Sequence, residues 1–108
     1  MTVPDATLGG YLQKHSRPPS FDGSDGAAYS AEIYVTEDPG DGHTFGAALL
    51  FVRWSDDGTL PVGHLETDYL AYGDRRSDVK AQLQRLTLYE VKDHLDRLIA
   101  TREEPLDW

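Results

Sequence analysis

The chain has 108 residues, a length that suits one domain burying roughly 60–70% of its unfolded surface in a single core. Its formal net charge of −9 comes from 19 acidic and 10 basic residues, and such a field repels phosphate groups, which disfavours nucleic acids and anionic membranes as partners. The absence of cysteine excludes disulfides, thiolate metal sites and a cysteine nucleophile.

The N-terminal segment, residues 1–28, is predicted to be poorly structured. Gly9-Gly10 and Pro18-Pro19 limit any helix between them to about one turn. The first residues have neither the basic region nor the apolar core of a signal peptide, and no run of the sequence reaches the ~20 apolar residues that span a bilayer. A cytoplasmic location is therefore expected.

Three β-strands are predicted between residues 29 and 70. Residues 29–36 alternate between apolar and polar side chains, residues 43–54 are almost all apolar, and residues 60–70 alternate again. A strand that is apolar on both sides belongs in the centre of a sheet. The three strands are therefore predicted to form an antiparallel meander with residues 43–54 in the middle.

A two-residue turn at Asp57-Gly58 is predicted to join the second and third strands. In the register that this turn fixes, Phe51 faces His64 on one side of the sheet, and Leu50 points to the other side, towards the helices. One more residue in the turn would move the side chains of one strand to the opposite faces of the sheet relative to the other strand, because side chains alternate with a period of two.

The last third of the chain is predicted to be helical, either as one helix bending near Thr87 or, preferably, as two helices at about 78–85 and 88–101. Ser77 is the expected N-cap of the first helix. Thr87 and Glu90 have the spacing of a capping box at the start of the second. The predicted fold is α+β: a three-stranded antiparallel meander followed by two C-terminal helices packed on one face of the sheet. Its single domain covers residues 29–102, and residues 103–108 form a tail.

Three strands that lead through Tyr72-Gly73-Asp74 into a helix resemble the layout of HicB-type antitoxins. The resemblance covers about 45 residues. Arg75 stands where that family's turn has threonine. The resemblance implies an architecture and no site residue.

The second face of a three-stranded sheet would be left uncovered by the two helices. Its expected interaction residues are Phe45, Leu49, Phe51, Arg53 and Leu70. A contiguous apolar patch on a small protein usually marks an interaction site. The candidate covers for this face are residues 8–21, Trp108 in the tail, or a second copy of the chain. These features favour a non-catalytic protein-interaction or self-association module without a cofactor, whose partner is another protein or a second copy in a homodimer.

The excess of acidic residues has two interpretations. It can serve solubility in a salty or crowded cytoplasm, or it can attract a basic partner protein. The first is favoured because charge is usually a solvated face.

The alternative function is a metal-dependent or acid–base enzyme. His64, Glu66 and Asp68 recur at every second position and therefore share one side of a strand. Two carboxylates and an imidazole can hold a divalent metal or carry out acid–base chemistry, and His43 is placed to add a ligand. The competing interpretation is an ordinary solvent-facing strand side, which is polar at alternate residues, and it is the favoured one.

Overall fold

The computed structural model describes residues 6–37, 42 and 44–103 of the chain. Its fold is α+β. In chain order the elements are α1 (Leu8–Lys14), β1 (Ser20–Asp22), β2 (Ala28–Glu37), β3 (Phe45–Trp54), β4 (Pro61–Glu66), β5 (Ala71–Gly73), α2 (Arg76–Gln84) and α3 (Leu88–Glu103). Within these described ranges, no helix has both the length and the apolar character needed to cross a membrane.

The strands form one antiparallel sheet in the order β1-β2-β3-β4, and β5 pairs with β3 beyond the end of β4. The apolar strand β3 is therefore central, as its composition predicts. The sheet has five strands rather than the predicted three, because β1 extends it beyond β2 and the segment after β4 returns to β3 as the short strand β5.

The register between β3 and β4 differs by one residue from the predicted register. Phe51 pairs with Leu65 and Val52 pairs with His64. The connection is longer than the predicted turn: the Ser55 N–H donates to the Leu60 carbonyl at 2.8 Å, so residues 56–59 form the loop. An irregularity next to Trp54 completes the shift. As a result, the side of β3 that shares a face with His64 carries Val52 and not the predicted Phe51.

The core lies between the sheet and the helices. From β3 it takes Ala47, Leu49 and Phe51, each 0% exposed. The prediction that Leu50 points towards the helices is wrong, and the one-residue register shift is the reason. The other buried members come from β2, β5, α1 and the two C-terminal helices: Leu8, Tyr29, Ala31, Ala71, Val79, Leu83, Val91, Leu95 and Ile99.

The described part of the N-terminal segment is ordered, in contrast to its predicted lack of structure. It contains α1 and β1. Leu8 is 0% exposed in the core, its N–H donates to the Leu86 carbonyl at 2.8 Å, and the Leu88 N–H donates to the Ala6 carbonyl at 2.8 Å. These two hydrogen bonds join the beginning of α1 to the junction between α2 and α3.

The C-terminal part forms two helices, as predicted, and they are separated by a break at residues 85–87. The capping box is confirmed: the Thr87 N–H donates to Glu90 Oε1 at 2.9 Å, and the Glu90 N–H donates to Thr87 Oγ1 at 3.0 Å. The prediction of Ser77 as an N-cap is wrong. The N-cap of α2 is Arg75, whose side chain makes no capping hydrogen bond.

Candidate functional site

The candidate site is the face of the sheet that points away from the helices, here called the open face. Strand pairing places Tyr34 beside Ala48 and Val52 beside His64 on this face. Because side chains alternate along each strand, the open face of the central strands is formed by Ser30, Glu32, Tyr34 and Thr36 of β2, Ala48, Leu50, Val52 and Trp54 of β3, and His64 and Glu66 of β4. Three shallow cavities lie on it.

The first of these, here called the tyrosine cavity, has a volume of about 550 Å³. It combines aromatic rings with two carboxylates, and its lining is Tyr34, Ala48, Glu66, Thr67, Asp68, Tyr69 and Tyr72. The rings of Tyr69 and Tyr72 pack edge to face with their centroids 5.8 Å apart. Tyr34 remains 42% exposed and Tyr72 36% exposed, so aromatic surface is available to a ligand.

Thr67 fixes the rim of the tyrosine cavity. The Leu49 N–H donates to Thr67 Oγ1 at 3.0 Å, where a regular ladder would use a backbone carbonyl. The same hydroxyl donates to the Asp68 carbonyl at 2.7 Å. Pairing with β3 therefore continues past Glu66, the last residue of β4, and it holds Asp68 and Tyr69 beside the sheet.

The second cavity adjoins the first and is less polar. Its volume is about 520 Å³. It shares Tyr34 and Glu66 with the tyrosine cavity, and Leu50, Val52, Pro61, Gly63 and His64 complete its lining. Since the two cavities have walls in common, they form one continuous surface along β3 and β4.

The third cavity lies near the other end of the open face and has a volume of about 540 Å³. Trp54 and Arg17 belong to its lining. The Trp54 indole N–H donates to Ser30 Oγ at 3.0 Å, which fixes the plane of the ring. Arg17 gives this cavity a basic residue in its lining, whereas the described lining of the first two includes no lysine or arginine.

Four of the five predicted interaction residues lie on the helix side of the sheet: Phe45, Leu49, Phe51 and Arg53. Leu49 and Phe51 are 0% exposed under the helices, which corrects the prediction that they lie on an uncovered face. Phe45 packs against the same core, and the Arg76 guanidinium lies 5.3 Å from the centre of its ring. Leu70, in the segment between β4 and β5, is 38% exposed.

Arg53 lies on the helix side, at the end of β3, where it pairs with Tyr29 of β2. Its Nε is 4.0 Å from Asp25 Oδ2. Asp25 accepts hydrogen bonds from the Ala27 N–H at 3.0 Å and from the Tyr29 hydroxyl at 2.8 Å. Burial acts to raise the pKa of Asp25, but these hydrogen bonds and the nearby guanidinium together lower it below its usual value.

The described members of the predicted metal site are not assembled into a cluster that could hold a metal ion. His64 and Glu66 lie on the open side of β4, and Asp68 follows two residues after the strand ends. His43 lies outside the described residues. Among the residues that the structure describes, no group of three or more His, Asp or Glu side chains is arranged to hold a metal ion.

Sequence reasoning placed His64, Glu66 and Asp68 together on one face, and they do lie on or beside the open face. It missed Tyr34, although the alternation of residues 29–36 already separates Tyr34 from the buried Tyr29. It also missed Tyr69 and Tyr72, which lie after the end of β4 and in β5.

No protein-family model, curated protein or solved structure matches this chain significantly. The HicB-like layout is therefore a resemblance without a family match, and a functional proposal depends on the geometry of the open face.

Proposed function

We propose that the protein is a non-catalytic interaction module whose open face binds a basic segment of a partner protein. The observation that carries this proposal is the tyrosine cavity, in which the rings of Tyr34, Tyr69 and Tyr72 adjoin the carboxylates of Glu66 and Asp68. Aromatic residues are enriched in protein interfaces, and they attract cations through the faces of their rings.

Charge supports a basic ligand. A lysine or arginine side chain in the tyrosine cavity would have both aromatic faces and carboxylate oxygens within reach. The formal net charge of −9 adds a long-range attraction for any basic segment. The second cavity, with Leu50 and Val52, offers apolar contact beside the charged one.

The same charges argue against a second copy of the chain as the occupant. In a two-fold symmetric dimer the same patch of both copies meets. An interface formed by the open face would then collect two sets of Glu32, Glu66 and Asp68 carboxylates and partly remove them from water. Like charges in such a position cost binding free energy. A basic partner of different sequence meets no such cost.

The proposal is tested by titrating isotopically labelled protein with an acetylated and amidated Lys-Val-Lys-Val-Lys-Val-Lys peptide and recording backbone amide shifts. We expect the largest shifts at residues 32–36, 48–52 and 62–72, and no such shifts with the corresponding Glu-Val peptide. The double substitution Glu66→Gln with Asp68→Asn should weaken binding at least tenfold.

The control is Asp78→Asn with Asp93→Asn, which changes the net charge equally but alters exposed residues of α2 and α3. It should leave affinity within about threefold of the wild type, because exposed charges more than ~10 Å away are largely screened at 0.1 M salt. Equal losses in the two double variants would mean that the peptide senses only net charge, and the open face would not be the site.

A further inference from the structure

We propose that the partner segment binds as an additional antiparallel β-strand along the outer edge of β4, with its basic side chains over the tyrosine cavity. This inference rests on the proposed function and specifies how the ligand binds. A strand at a sheet edge presents unpaired backbone N–H and carbonyl groups that can pair with another chain.

The outer edge of β4 is available in the described structure. β4 is the last strand in the sheet order, and no strand among the described residues pairs with its outer side. Five of its six residues are exposed, Leu65 being the half-buried exception. β4 therefore presents both its backbone and the side chains of His64 and Glu66 to an incoming chain.

The hydrogen bonds of β3 identify which backbone groups of β4 point outward. The Thr67 N–H donates to the Leu49 carbonyl at 3.0 Å, so these two residues form a hydrogen-bonded pair. Hydrogen-bonded and non-hydrogen-bonded pairs alternate along an antiparallel ladder. His64 and Glu66, which face Val52 and Leu50, therefore belong to non-hydrogen-bonded pairs, and their N–H and carbonyl groups point away from β3.

This geometry sets the register of the added strand. In an antiparallel addition, the residues opposite His64 and Glu66 form hydrogen-bonded pairs with them, and their side chains lie on the open face. Lysine or arginine at those positions would be carried towards Tyr34, Glu66 and Asp68. Backbone pairing then provides affinity for any extended segment, and the tyrosine cavity provides the preference for a basic one.

The register makes a sharp prediction for N-methylated forms of the Lys-Val peptide, since an N-methyl group removes one backbone donor. Lysines that lie on the open face use their own N–H groups to pair with β4, whereas the valine N–H groups point to solvent. We expect N-methylation of the last three lysines to weaken binding at least tenfold and N-methylation of the three valines to change it less than threefold. The two methylated peptides have the same composition, so each controls for the other.

Two variants of the protein test the same edge by changing β4 instead of the peptide. His64→Pro removes one outward N–H without removing a hydrogen bond to β3, and proline is tolerated at such edge positions. His64→Ala removes the imidazole and keeps the N–H. We expect the proline variant to bind the unmodified peptide at least tenfold more weakly than the alanine variant, with amide spectra confirming that both are folded.

The outcomes separate this inference from the proposed function. If the unmodified peptide binds the open face but both methylated peptides bind equally, or only the valine-methylated peptide is weakened, antiparallel strand addition is overturned while side-chain recognition by the open face stands. If the unmodified peptide causes no shifts on the open face, the proposed function fails and the strand addition fails with it.

Discussion

At the scale of single residues, Asp57 organises the loop between β3 and β4. Its Oδ1 accepts hydrogen bonds from Ser55 Oγ at 2.7 Å, from Thr59 Oγ1 at 2.8 Å and from the Thr59 N–H at 3.1 Å. The Ser55 hydroxyl, followed by the two Thr59 donors, lowers the pKa of Asp57 to about 2. The ionised carboxylate therefore favours the folded loop, which in turn sets the register of β4.

The substitution Asp57→Asn is expected to destabilise the protein in a pH-dependent way. Because the folded pKa lies below the usual 3.8, the contribution of the carboxylate is complete above about pH 4 and is lost as the pH falls towards 2. Urea unfolding should therefore show a larger difference between wild type and variant at pH 7 than at pH 3. Asp56→Asn, at the exposed neighbouring position, is the matched control and should cause no comparable pH-dependent difference. An Asp57→Asn effect of the same size at both pH values would contradict the assignment.

At the scale of the strand, adjacent leucines of β3 report on the orientation of the whole element. Leu49 is 0% exposed beneath the helices, whereas Leu50 lies half-buried on the open face. We expect Leu49→Ala to lower the free energy of unfolding by about 2–5 kcal/mol and Leu50→Ala to lower it by about 1 kcal/mol. Chemical denaturation measures both, and the reverse order would mean that the observed register is incorrect.

The strands β2, β3 and β4 and the helices α2 and α3 were predictable because their signals are local. Alternation identified β2 and β4, and the spacing of Thr87 and Glu90 located the start of α3. The orientation of β3 was not predictable in this way. Both of its sides are apolar, so the side chains alone do not choose the buried face, and the length of the loop around Asp57 decides it. The composition of the open face was accordingly predicted in part. His64 and Glu66 lie on it, as expected, whereas Leu49 and Phe51, which were also expected there, are buried under the helices.

Short elements were missed for a different reason. α1 has seven residues and β1 has three, and segments of that length carry little periodicity of their own. Their stability comes from tertiary contacts, such as the burial of Leu8 and the pairing of Phe21 with Tyr29. Those contacts join positions that are distant in sequence or separated by a turn, so a pattern read along the chain does not reveal them.

At the scale of the whole molecule, α1 is an integral part of the core. We expect Leu8→Ala to lower the free energy of unfolding by about 2–5 kcal/mol, because the side chain is fully buried and its removal leaves a cavity. Leu12→Ala, at a half-buried position of the same helix, should cost less. Unfolding curves recorded by far-ultraviolet and near-ultraviolet circular dichroism should coincide, as they do for one cooperative unit. A Leu8→Ala variant as stable as the wild type would indicate that α1 is only loosely attached.

The hydrogen bonds between the start of α1 and the α2–α3 junction have a consequence for biosynthesis. The Leu8 N–H finds its acceptor only after Leu86 has been translated, and the last turns of α3 supply Leu95 and Ile99 to the same interior. A nascent chain still lacking α3 would expose the apolar residues of β3 to solvent or to chaperones. Native closure should therefore occur late, only after α3 has been synthesised and is free to fold, rather than progressively during elongation.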